Sequence, residues 1–142
     1  MKKRLLLDLN VVLDVLLDRK PHVGAAAAVW AGIERGLAEG YLPAHAVTTI
    51  HYLASRSRGT AFARRAVEAL LVVFRVAPVD GDVLREALWL PVRDFEDAVS
   101  AACASAAGCD AVVTRDPRGF RGSTVAVIDP ATAVALLSGA RG

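Results

Sequence analysis

Three aspartates stand where an apolar segment gives way to a polar one. Asp8 follows Leu5-Leu6-Leu7, Asp97 comes three residues after Asp94 in Asp94-Phe95-Glu96-Asp97-Ala98, and Asp116 comes shortly after Val112-Val113-Thr114. Asp8 has the poorest local explanation, because Leu9 continues the apolar run beyond it. A carboxylate in such a run is expected to be partly buried, and a buried charge must be paired or bind a metal. The chain's only lysines are Lys2, Lys3 and Lys20, and the first two fall at the other end of the same run. Carboxylates brought close together repel one another unless a divalent cation neutralises them. Such hard oxygen ligands suit Mg2+ or Mn2+. The chemistry expected there is phosphoryl transfer to water, with the metal activating water and stabilising the leaving oxygen.

Other aspartates have a structural use. Asp80 and Asp129 precede clear helical segments and are assigned to N-caps. Asp94, three residues before Asp97, resembles the start of a capping box with Asp in place of Glu or Gln. Asp97 is less easily explained. Positions 97, 101 and 104 share a helical face. The alanines that follow (Ala98, Ala101, Ala102, Ala104) let this helix lie close to its neighbours, which brings Asp97 towards the strand ends.

The elements that must position these acids follow from periodicity and punctuation. Arg4 to Leu9 reads as a buried strand. Asn10 to Arg19 reads as a helix, with Asp14 and Asp18 on a face away from its apolar residues. Val23 to Glu39 is a second helix, with Gly40 as its stop. Tyr41 to Pro43 is extended, and Ala46 to Arg56 is helical despite the β-branched run Val47-Thr48-Thr49-Ile50. Thr60 is expected to cap a helix running to Val73. A strand over Arg75 to Val79 leads to a helix capped by Asp80 or Asp82 and ending at Leu90. Asp94 opens the helix to about Ala107, and Ala111 to Thr114 is a strand. Asp116-Pro117-Arg118-Gly119 is a turn, Val125 to Ile128 a strand, and Asp129-Pro130 starts a last helix to Leu137. Alternating strands and helices imply βαβ units: a mostly parallel sheet with helices on both faces, three layers in all. Residues 1–142 read as a single domain, loose only over Met1 to Lys3 and Gly139 to Gly142.

Composition narrows the function classes. The chain has 142 residues, 54% of them hydrophobic, which suits one compact core and rules out intrinsic disorder. Mean hydropathy is +0.40, raised by alanine rather than by a membrane span. The Leu5-Leu6-Leu7 run stops at Asp8, too soon for a secretory core of ~7–15 apolar residues. A cytoplasmic protein with reduced thiols is expected, since two cysteines, Cys103 and Cys109, make no disulfide framework. A net charge of +2 does not by itself call for a nucleic-acid partner. Local arginine groups do suggest phosphate contacts: Arg56, Arg58, Arg64 and Arg65, and Arg115, Arg118 and Arg121 around Asp116. Trp30 and Trp89 read as core or dimer contacts.

The segments Leu6-Leu7-Asp8-Leu9-Asn10-Val11-Val12-Leu13-Asp14, Asp94-Phe95-Glu96-Asp97-Ala98 and Val112-Val113-Thr114-Arg115-Asp116, with Phe120 after them, together resemble the PIN-domain family. With the final strand and its Asp129-Pro130 helix, the pattern looks like the VapC-type toxins and their close PIN relatives. The resemblance implies a PIN-like α/β/α fold and metal-dependent endoribonuclease cleavage of RNA. It maps the family's acids onto Asp8, Asp97 and Asp116 as catalytic and Mg2+ (or Mn2+) ligands. Asn10 and Thr114 match the polar residues that flank the first and last acids. It further implies a homodimer and a small antitoxin that blocks the site.

One departure stands out. The family's further Glu, on the helix after the second strand, has no counterpart in Ala44-His45-Ala46-Val47-Thr48-Thr49-Ile50-His51-Tyr52. Asp94 is a candidate for the missing charge, and Thr48 or Thr49 for holding a metal-bound water. His51 is the histidine expected nearest the site. The departure keeps open a PIN domain that binds RNA or protein without cutting. A phosphatase using Asp8 as nucleophile wants an Asp where Asn10 stands and a lysine downstream. There is none after Lys20, and a receiver domain fails on the same point.

Overall fold

The computed structural model describes residues 1–139; residues 140–142 lie outside it. Five short strands form an all-parallel sheet: β1 (Arg4–Leu7), β2 (Glu39–Pro43), β3 (Arg75–Ala77), β4 (Ala111–Val113) and β5 (Ala126–Ile128). Their order is β3-β2-β1-β4-β5, so β1 is central and the winding reverses between β1 and β4. Leu6 lies opposite Tyr41 on one side and Val112 on the other. The helices are α1 (Leu9–Leu16), α2 (Val23–Glu34), α3 (Ala44–Arg58), α4 (Thr60–Val73), α5 (Gly81–Trp89), α6 (Phe95–Ala106) and α7 (Pro130–Gly139).

The period-2 alternation of strand side chains divides the core in two. Leu5, Leu7, Leu42, Ala111 and Val113 face a cluster with α1, α2, α7 and parts of α3 and α4. Leu6, Tyr41 and Val112 face the other cluster, with α5 and α6. Burial on both faces explains why β1 and β4 read as unbroken apolar runs. Each fully buried Leu or Val contributes about 1.5–3 kcal/mol. In α6, seven consecutive residues, Ala98 to Ala104, are buried. Their small side chains let this helix sink against the sheet, as its alanine face implied.

Several boundaries differ from the sequence reading. β1 ends at Leu7, because Asp8 turns out to be the N-cap of α1 and its carboxylate accepts from Leu9 N. α2 stops at Glu34, and the turn after it uses Gly36 at φ 79°, a conformation glycine adopts freely. Gly40 is no helix stop: it lies inside β2, against Ile33 and Phe74. Thr60 does not cap α4. Gly59 holds that position, and the Thr60 hydroxyl meets Ser55 instead. Asp80, not Asp82, caps α5 through Val83 N, while Asp82 pairs with Arg85. Asp129 accepts from Thr132 N at the start of α7.

Asp14 is not on a solvent face; it is 1% exposed. Trp30 packs edge-on against Phe74, with ring centroids 5.2 Å apart, whereas Trp89 stands 87% exposed at the end of α5. Gly139 closes α7, and the rest of the carboxyl end expected to be loose lies outside the described residues. No helix among the described residues is long and apolar enough to cross a membrane. Both cysteines are free and buried, and burial pushes the Cys103 thiol up to about 11 and that of Cys109 to about 12.

Candidate active site

Ligand sites in parallel sheets form beyond the carboxyl ends of strands, at the point where the winding reverses. Here that point lies between β1 and β4, and Asp8 and Thr114 directly follow those two strands. Asp8 N donates to Val113 O at 2.9 Å, which fixes its backbone to the neighbouring strand. The Asp8 carboxylate accepts from Leu9 N at 2.9 Å and from the Thr114 hydroxyl at 2.8 Å. The Thr114 oxygen in turn accepts from Asp116 N at 3.1 Å and from Asn10 Nδ2 at 3.3 Å. A hydroxyl has one donor and two acceptor positions, and all three are used.

Asp8, Asn10 and Asp97 line one cavity of about 200 Å³, together with Leu9, His45, Ala46, Glu96 and Ser100. Thr114 is fully buried behind Asp8. Asp116 is exposed and does not line that cavity, yet it stands close to Asp97. A Cβ placed on Gly119 would fall 2.9 Å from Asp116 Oδ2 and 3.5 Å from Asp97 Oδ2. The gap between those two oxygens cannot exceed the sum of the two distances, and a side chain at position 119 would have to displace the Asp116 carboxylate. Asp94 is exposed and caps α6, its Oδ1 accepting from Asp97 N at 3.0 Å.

Three residues that sequence reasoning did not single out also face the cavity. Glu96 adjoins Asp97 in the first turn of α6, and that adjacency was the available signal. His45, rather than His51, opens α3 at the site, with its Nε2 3.4 Å from the Ser100 hydroxyl. Thr48 and Thr49 do not line the cavity, and the Thr48 hydroxyl donates to His45 O. Two buried polar atoms of lining residues lack a partner, Asn10 Oδ1 and His45 Nδ1. Among the described residues no three His, Cys, Asp or Glu side chains stand close enough to cage an ion by themselves. A larger, mostly apolar cavity of about 600 Å³ opens at the other end of β1, beside Lys2, Lys3, Leu37 and Leu137. It is lined by no carboxylate, histidine, serine, threonine or cysteine and is not a candidate for metal-assisted hydrolysis.

A family model described as a PIN domain matches residues 4–118. The chain belongs to the PIN-domain family. Among curated proteins none matches it. Solved structures share its fold at low identity. VapBC2 from Rickettsia felis, bound to a DNA fragment from its promoter, is 11% identical with a TM-score of 0.71, over 89% of this chain and 98% of that one. FitAcB from Neisseria gonorrhoeae is 24% identical with a TM-score of 0.67, over 89% and 97%. VapC20 from Mycobacterium tuberculosis, described as a sarcin-ricin loop cleaving toxin, is 21% identical with a TM-score of 0.62, over 76% and 86%.

The acids of this PIN domain disturb one another. Burial raises the Asp97 carboxyl to about 7, and the charges of Asp8, Asp94, Glu96 and Asp116 add to the shift. Burial also raises Asp8, with Glu96 and Asp116 adding to it, against the lowering effect of the Thr114 and Leu9 bonds. None of Asp8, Asp97 and Asp116 forms an ion pair among the described residues.

Two outcomes follow from this geometry. Thr114→Val keeps the shape but strands the Asn10 amide and Asp116 N, and should cost about 1–3 kcal/mol in a denaturant titration. The second concerns pH. A carboxyl raised in the folded state makes its stabilising contribution below its unfolded value, and that contribution is lost as pH rises through the folded value. For Asp97 the window runs from 3.8 to about 7. Chelator-treated protein should therefore melt lower at about pH 8 than at about pH 5, and Asp97→Asn should reduce that difference.

Proposed function

We propose that this PIN domain is a metal-dependent endoribonuclease that hydrolyses RNA phosphodiester bonds in the cytoplasm, as the toxin of a toxin-antitoxin pair. One observation supports this most. Asp8 and Asp97 face a single cavity at the switch point of the sheet, and neither has a cationic partner.

The donor set fits a hard divalent ion. Every candidate ligand of Asp8, Asp97, Asp116 and Asn10 is an oxygen, and Asn10 Oδ1 is a buried acceptor with no protein donor. A ready cage of three carboxylates is not required, since Mg2+ keeps several waters and is commonly held by one or two carboxylates plus substrate phosphate. We assign Asp8 and Asp97 as direct ligands and Asp116 as a ligand nearby or through water. Once bound, Mg2+ or Mn2+ would supply activation of water and neutralisation of the phosphate.

The chain's own residues do the rest. Thr114 and Leu9 N hold the Asp8 carboxylate in one orientation. Asp94 fixes the first turn of α6 and thereby the direction of Asp97. Asp97 gives up its proton when the cation is taken up, so affinity should rise with pH.

The partners belong to the same reading. The solved structures that share this fold include VapBC and Fit assemblies, which supports a small antitoxin as partner. A homodimer is supported by apolar side chains left open on α5: Leu84, Leu88 and Trp89 are 40%, 71% and 87% exposed.

Asp8→Asn should abolish Mn2+-dependent cleavage of RNA while leaving the protein folded, because the swap keeps the shape and removes a full charge. Thermal melts in chelator check that Asp8→Asn is folded, since its amide can accept from only one of Leu9 N and the Thr114 hydroxyl. Equal cleavage by both would overturn the assignment. RNA binding without cleavage in the parent would favour the non-cutting alternative. For assembly, light scattering should give twice the chain mass, and Trp89→Glu should give a folded monomer.

A further inference from the structure

Asp14 is the one charged side chain that is buried among the described residues. It lies on α1 four residues beyond Asn10, about one turn along and on the same face. Arg115 donates through Nε to Asp14 Oδ2 at 2.8 Å. Arg19 brings its Nε to 3.1 Å from Asp14 Oδ1, an ion contact without hydrogen-bond geometry. The chain is folded back to allow this. Asp18 takes a left-handed φ of 51°, and Arg19 N donates to Asp14 O at 2.9 Å.

A buried carboxylate needs one cation to offset its charge, yet Asp14 holds two, and the trio carries a net charge of +1. Each guanidinium is engaged through Nε only. The terminal nitrogens of both have no protein partner among the described residues, and the side chains are 40% and 33% exposed. Arg115 is chained directly between Thr114 and Asp116, so its position is tied to that of the acids. Asp14 lies six residues along α1 from Asp8, roughly 9 Å at 1.5 Å per residue. One nucleic-acid strand can therefore reach both places. Guanidinium forks match phosphate oxygens bidentately and lose little freedom when already anchored. Arg118 and Arg121 are exposed and have no such anchor.

Resting on the ribonuclease reading above, we propose that Arg19 and Arg115, anchored by the buried Asp14, form a phosphate-binding subsite for the RNA backbone beside the carboxylates. Arg19 is the arginine to test, since Arg115 still pairs with Asp14 when it is replaced.

The experiment measures binding of a labelled oligouridylate to the full chain by fluorescence anisotropy, in chelator to prevent cleavage, over a range of salt concentrations. Arg19→Gln should weaken binding and make the slope of log affinity against log salt shallower by about 0.7, the loss of one phosphate contact to a single strand. Arg19→Lys should restore the slope, because the charge returns. Arg85→Gln, on α5 at the opposite face of the sheet, should leave it unchanged and serves as the control for general charge. If Arg19→Gln matches the parent, or only matches Arg85→Gln, the subsite is overturned while the ribonuclease reading stands. A parent that does not bind the oligonucleotide in chelator even at low salt also overturns the subsite, whereas the ribonuclease reading falls only if Mn2+-dependent cleavage is absent. Thermal melts of each variant separate loss of contact from loss of fold.

Discussion

A carboxylate at the end of the central strand has to be held firmly without being neutralised. An arginine or lysine beside Asp8 would hold it but would also occupy the place of a cation. The Thr114 hydroxyl avoids that. It gives its single proton to Asp8 and takes bonds from Asp116 N and Asn10, tying β1, α1 and the end of β4 together with a neutral group. Because the hydroxyl is buried, its bonds are not exchanged for water, and the three groups it touches keep fixed relative positions.

The sheet makes that knot possible. β1 and β4 are neighbours only because the chain crosses back over the sheet before laying down β4. Their carboxyl ends thus adjoin although Asp8 and Thr114 are 106 positions apart in the chain. Side chains buried on both faces fix the register, since a slip of one residue would turn Leu6 and Val112 into the wrong cluster. α6 brings Asp97 to the same place, and its run of alanines sets how closely it can approach.

The parts of this arrangement that were legible in the sequence are those with a local signature. The apolar runs of β1 and β4 bury both faces and so show as runs. The N-caps at Asp80, Asp94 and Asp129 follow from one hydrogen bond to a residue three places on. What could not be read depends on contacts between distant segments. Asp14 looked like a solvent-facing acid because its partner Arg115 is 101 residues away in the chain. Gly40 suggests a stop for α2, yet the helix ends earlier, at Glu34, and the reason for Gly40 is close packing within a strand under Phe74. His45 rather than His51 reaches the cavity because α3 begins at Ala44, directly off β2, and no side-chain cap marks that start.

The missing acid on α3 changes how charge is distributed around the cavity. One wall, from α6, carries Glu96 and Asp97 with Asp94 close behind. Beyond Asp8, the rest of the lining carries no carboxylate: it offers the Asn10 amide on α1 and His45 near the start of α3, which meets Ser100. A further carboxylate on α3 would add repulsion to an Asp97 that burial first, and the neighbouring acids second, already raise to about 7. Its absence lets the cluster persist without an ion at a smaller electrostatic cost. Asn10, which lines the same small volume, keeps a buried Oδ1 acceptor without a protein donor. Carboxylates from β1's end and from α6, a neutral amide on α1 and arginines drawn off to Asp14 leave the space between open to a cation and to the phosphate that comes with it.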